Sequence, residues 1–175
     1  VYLPEDEQKV LDLLGLWQDE IWANEHALEV AVADEARLAD YDKFYAIFDQ
    51  GTSLVNLQRY GEATAAFDRA FLLYAELTKL GQEETKRPYR MMWYQTSPYW
   101  AYFYTGRYQD VINLADTTLN ETISEPTLEE SLYWRAMAEY AAGDYTSAFA
   151  DMREAVRLNP GFSPGLFYLG QWGVE

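Results

Sequence analysis

Apolar positions recur along this chain at three- and four-residue spacing, and short polar turns punctuate them. Pro4-Glu5-Asp6-Glu7 reads as the first turn of a helix, with proline near its start and acids at the positive end of the dipole. Val10, Leu11, Leu13 and Leu14 then form an apolar face that Gly15 is expected to end. From Leu16 to about Ala39, a longer amphipathic helix is predicted by Ile21, Ala27, Leu28, Ala31, Val32 and Leu38. Beyond Asp42 the pattern breaks into pairs. Helices are predicted at about 43–57 and 61–79, then 90–104 and 107–119, then 127–141 and 145–157, with a last one at about 163–172. No β-branched alternation bounded by hairpin turns occurs, so the expected class is all-α.

The three pairs share a turn. Gln58-Arg59-Tyr60-Gly61-Glu62-Ala63 is followed by Phe67 and Ala70, and Gly106-Arg107-Tyr108-Gln109-Asp110-Val111 by Ala115 and Thr118. Gly143-Asp144-Tyr145-Thr146-Ser147-Ala148 is followed by Met152, Ala155 and the closing Asn159-Pro160. Equivalent turn positions lie 48 and 37 residues apart (58 to 106, 106 to 143). A repeated helical hairpin predicts a stacked solenoid, because each unit leaves an apolar face for the next to cover.

These residues resemble the tetratricopeptide repeat, over roughly residues 16–175. In that pattern Gly51, Ala136 and Gly170 are the small residues that admit a neighbouring helix, and Tyr60, Tyr108 and Tyr145 follow the turn. Ala63, Val111 and Ala148, with Ala70 and Ala155, lie on the second helix and seat the next repeat. The resemblance implies a unit of about 34 residues, so the 48-residue interval carries an insertion at 79–88. Lys79, Lys86, Arg87 and Arg90 cluster around it, read as a solvated loop or as a contact for an acidic partner. The second copy departs furthest. Tyr99 stands where a small residue is expected, and Pro98 requires the helix either to begin there or to bend.

The run from Arg90 to Val111 also resembles a bacterial repeat region that follows papain-like cysteine peptidase domains of the bacteriocin-processing type. That resemblance implies a secreted protein, with Val1-Tyr2-Leu3-Pro4 as a linker from an upstream domain that carries the catalytic Cys and His. On that reading the segment has no catalytic residues of its own.

Composition narrows the chemistry. The chain has 175 residues, a net charge of -16, no cysteine and one histidine. Residues 1–43 hold 12 acidic and 3 basic residues. A polyanion would be repelled, so nucleic acid is not expected as a partner. Thiolate chemistry and His-rich metal clusters have no residues to build them, and neither metal nor cofactor is expected. No apolar stretch approaches the roughly 20 residues of a membrane span, so membrane insertion is not expected either. Glu25 and Glu29 beside His26 read as a solvated helix face, and Glu83-Glu84 and Glu129-Glu130 point in different directions from a helix. Asn120-Glu121-Thr122 matches a glycosylation sequon.

Residues 1–41 are therefore expected to form N-terminal helices, an incomplete repeat or cap, continuous with a repeat domain at 42–175. The first helices of the hairpins would line a concave face. There the register places Tyr45, Phe48, Trp93, Trp100, Phe103, Tyr104, Tyr133, Trp134 and Tyr140, with Asp49, Thr52, Val55 and Asn56 nearby and Phe167 and Tyr168 on the last helix. Tyr and Trp offer a flat apolar face with a polar handle, which suits a protein or peptide segment, including the chain's own upstream domain. Two alternatives stay open: a spacer whose rings pack on one another, and an aromatic platform for carbohydrate. Oligomeric state is not set by the sequence.

Overall fold

A computed structural model of the chain describes residues 5–79, 91–92, 95–121 and 129–174. All regular structure among the described residues is helical: eight helices and no strand. They fall into two compact units, Val1–Leu77 and Thr78–Glu175. The expected architecture of packed helical hairpins is the one observed.

The first unit contains α1 (Glu5–Arg37), α2 (Asp40–Asn56) and α3 (Tyr60–Lys79). Here the structure corrects one expectation: α1 runs through Gly15 without a break. A glycine ends a helix when the residue just past the end turns left-handed. Gly15 has no positive φ, so it stays in the helix at a cost of about 1 kcal/mol relative to alanine. The unit's core is aromatic. Phe48 lies 5.1 Å from Phe67 and 6.4 Å from Phe71 between ring centroids, with Phe44 at 5.9 Å. Each buried phenylalanine contributes about 1.5–3 kcal/mol. Gly51 is the close approach the pattern called for, since a Cβ there would stand 2.5 Å from the Phe67 ring.

The second unit contains α4 (Ser97–Tyr104), α5 (Tyr108–Glu121), α6 (Glu129–Ala142), α7 (Tyr145–Leu158) and α8 (Ser163–Trp172). Helix α4 is shorter than the predicted 90–104, and its start settles the proline question. Pro98 sits in the first turn, where its missing N–H leaves no hydrogen bond unmade. The insertion at 80–88, with Lys86, Arg87 and Arg90, lies outside the described residues, as do part of the sequon and the Val1–Pro4 linker.

The three hairpin turns close in one way. Gln58, Gly106 and Gly143 all have positive φ (58°, 75° and 92°). The next residue's N–H then reaches back to the carbonyl five residues earlier: Arg59 to Leu54, Arg107 to Tyr102, Asp144 to Glu139, at 2.8–2.9 Å. This six-to-one bond satisfies a carbonyl that the helix end would otherwise leave free. Gly173 ends α8 with the same geometry.

Tyr99 shows why a small residue is not needed in the second copy. Its ring is fully enclosed where α4, α5 and α6 meet, and its hydroxyl lies 3.3 Å from Thr118 Oγ1 and 3.1 Å from Ser131 Oγ. Gly170 corrects the pattern in the other direction. A Cβ there would meet nothing within 4 Å, because no described helix follows to approach it. In this helix the tight position is Gly165, against Val156 and Phe162.

One turn further along α6 from Ser131, Arg135 bridges two neighbours. Its guanidinium donates to Asp116 on α5 at 2.6 Å and to Asp151 on α7 at 2.8 Å, which holds its pKa well above the usual arginine range.

Candidate functional site

In the second unit, helices α4, α6 and α8 bring their aromatic side chains into one connected face. Trp100 and Tyr104, one turn apart on α4, stack at 5.6 Å. Trp100 and Phe103 both meet Trp134 of α6, at 5.0 and 5.6 Å, and Phe103 also meets Tyr108 at the start of α5. Along α6, Trp134 touches Tyr133, which contacts Phe162 and Tyr168 at 5.6 and 5.9 Å. Tyr168 leads to Trp172, which lies flat on Tyr140 at 4.4 Å and an interplanar angle of 4°. On α4 and α8 helical spacing produces this, because residues three and four apart share a face, and on α6 Tyr133 and Tyr140, two turns apart, do the same.

Exposure divides the rings into a base and a surface. Trp134 is 4% exposed and Phe103 and Tyr133 are half-buried, whereas Trp100 is 39%, Tyr104 53% and Phe167 59% exposed. Tyr140, also exposed, joins them at the far end. The expected residues therefore do two jobs: Trp134 packs beneath, and Trp100, Tyr104 and Tyr140 meet solvent.

The two expected residues of the first unit pack within that unit. Phe48 is fully buried between α2 and α3, so it faces the hairpin core. Tyr45 is half-buried, edge-on to Phe44. Val55 is buried, whereas Asn56 is exposed and bonded to Asn24 of α1. Trp93 lies outside the described residues.

The face is nearly free of charge. Helices α4 and α8 carry no charged side chain, and on α6 Arg135 is held by its two aspartates. Glu130 is the charge near the rings. Partial burial pushes its carboxyl up, and a hydrogen bond from Thr96 opposes that shift. Burial also raises the Tyr133 phenol, with Tyr168, Tyr104 and Glu130 adding to the effect. The Tyr133 hydroxyl thus has the Tyr168 and Tyr104 hydroxyls and the Glu130 carboxylate around it. Such a surface can stack flat groups and hydrogen-bond polar ones. Among the described residues, no group of three His, Asp or Glu side chains is spaced to hold a metal ion. No described helix is long and apolar enough to cross a membrane.

Sequence reasoning missed Trp172, the ring most closely stacked in the face. Its signal was present: it lies four residues after Tyr168 on a short helix, the spacing that puts two side chains on one side.

No curated protein and no solved structure matches this chain. Residues 129–162, which span α6, α7 and the turn into α8, match the family model of the tetratricopeptide repeat.

Proposed function

We propose that this chain is a non-catalytic interaction scaffold that engages an extended protein or peptide segment along the aromatic face of α4, α6 and α8. The observation that carries this reading is the exposure of Trp100, Tyr104, Tyr140 and Phe167 on a base already packed by Trp134. Large rings left in water on a single connected surface are costly unless something covers them. The match to the tetratricopeptide repeat supports the same reading, since stacked helical hairpins present extended binding surfaces. An accessory role beside a secreted cysteine peptidase extends the proposal and rests on the resemblance of residues 90–111. A peptidase domain encoded in the same gene would support it.

Selection of a random 12-residue peptide library on the full chain tests the reading. Enriched peptides should bind in the micromolar range, and Trp100→Ala with Tyr104→Ala should weaken them by at least about tenfold, the scale of an interface anchor. That double variant should keep the parent melting temperature, whereas Trp134→Ala should lower it. Peptides indifferent to the double variant, or no enrichment at all, would favour the spacer, which the burial of Trp134 and Phe48 otherwise supports.

A further inference from the structure

The first unit carries an exposed apolar stripe of its own. Helices α1 and α2 run antiparallel. Asn56 Nδ2 donates to Asn24 Oδ1 at 2.8 Å, and Gln50 Nε2 donates to the Ala31 carbonyl at 3.3 Å and to Glu35 at 2.6 Å. Because α2 ends at Asn56, its cover of α1 ends opposite Asn24. From there α1 continues to Glu5, about 19 residues or roughly 28 Å at ~1.5 Å per residue.

The stripe that α2 covers does not stop with it. Leu28 and Ala31 are half-buried and buried, and the same three- and four-residue steps continue back through Asn24, Ile21 and Trp17 to Leu14. These last three apolar side chains are exposed. Trp17 and Ile21 also line a concavity of about 500 Å³, closed at one end by Asn56, Leu57 and Gln58. Glu20 and Glu25 border it on either side of the stripe. Arg59 is also there; its guanidinium is bonded to Glu62 at 2.6 Å and also feels the charge of Glu25, which leaves Glu20 as the acid without that cation.

We propose that the stripe of α1 from Leu14 to Asn24 docks an amphipathic helix from another protein, with an aliphatic stripe flanked by Lys or Arg. A helix is the occupant because the stripe has helical periodicity and α2 already covers its continuation in that way. The flanks are basic because Glu20 and Glu25 face them, in a segment where residues 1–43 hold 12 acidic and 3 basic residues. A second copy of α1 would set those glutamates against their own counterparts, and like charges across an interface oppose association.

Two synthetic helical peptides of about 15 residues, enough to cover the stretch from Leu14 to Asn24, test the proposal. They share a leucine stripe and carry Lys or Glu at the flanking positions, and each is titrated calorimetrically into the full chain. The Lys peptide should bind at least about tenfold more tightly than the Glu peptide. Ile21→Asp should weaken it at least about tenfold, a loss on the scale of removing an anchor side chain. Trp22→Ala, an equally exposed ring off the stripe, should leave it unchanged. Glu20→Lys with Glu25→Lys should reverse the preference. No binding by the Lys peptide, equal binding by both peptides, or indifference to Ile21→Asp overturns the proposal. So does a dimer in sedimentation equilibrium that Ile21→Asp dissolves, which would assign the stripe to a second copy.

Discussion

Replacing Tyr99 by phenylalanine removes one oxygen from the junction of α4, α5 and α6 and leaves the ring in place. The hydrogens around that oxygen can be assigned. The Thr118 hydroxyl donates to the Leu114 carbonyl at 2.8 Å, so toward Tyr99 it accepts. The tyrosine hydrogen is thereby committed to Thr118, and Ser131 donates to the tyrosine oxygen. Burial pushes the Tyr99 phenol up to about 12, so the hydrogen stays in place across the ordinary pH range. Tyr99→Phe removes two net hydrogen bonds of about 1 kcal/mol each and leaves the buried Ser131 hydrogen without its acceptor, a total of about 2–3 kcal/mol. Ser131→Ala removes one bond and leaves Tyr99 donating to Thr118, a loss of about 1 kcal/mol. The double variant has no stranded hydrogen and should lose about 2 kcal/mol, less than the sum of the singles. Urea denaturation followed by circular dichroism reads these values. With a slope of about 2 kcal/mol per molar, Tyr99→Phe moves the midpoint by at least about 1 M. Strict additivity, or a loss below about 0.5 kcal/mol for Tyr99→Phe, would refute the chain of three hydroxyls.

Gln58 occupies the left-handed position that glycine fills in the other two turns, so Gln58→Gly should stabilise the chain by about 0.5–1 kcal/mol, read from the melting temperature. Gly51→Ala should cost about 1–3 kcal/mol by pressing a methyl into the Phe67 ring, with the loss visible in the same melt. Glu139 has a buried Oε2 with no hydrogen-bond partner among the described residues, and it faces Arg135, Asp116, Asp144 and Asp151. Burial first, then Asp151, pushes its carboxyl from 4.5 to about 7, against the pull of Arg135. The folded chain therefore holds this proton more tightly than the unfolded one, and stability from this group falls as pH rises from 4.5 through 7. Glu139→Gln should flatten that part of the stability–pH curve measured by urea denaturation, raising stability at pH 8 more than at pH 5.

The hairpins after residue 42 were legible because two local signals agree there: helical periodicity and turns carrying glycine or a tolerated glutamine. Residues 163–172 were placed to the residue, since Pro164 and Gly173 bracket them. Gly15 misled because a glycine codon is equally compatible with a C-cap and with a helix interior, and only its neighbours decide. The repeat register puts Phe48 and Trp134 on the concave face, yet both are buried. In a helix enclosed on several sides, apolar periodicity marks what is covered without naming what covers it. Tyr99 was recognised as an irregularity, but its hydroxyl partners, 19 and 32 residues away, come together only through packing. Helix α1 was read as two helices, so its uncovered stripe had no reason to stand out.

Arg135 fixes more than charge. A planar guanidinium that bonds Asp116 and Asp151 at once ties α6 to helices on both of its flanks. Sliding any one of the three by a single residue, ~1.5 Å along its axis, would break at least one of those bonds. The aromatic side chains of α6 thus stand on a helix already registered to both of those neighbours before anything arrives. A segment that docks there would order itself against a surface that has little freedom left to lose.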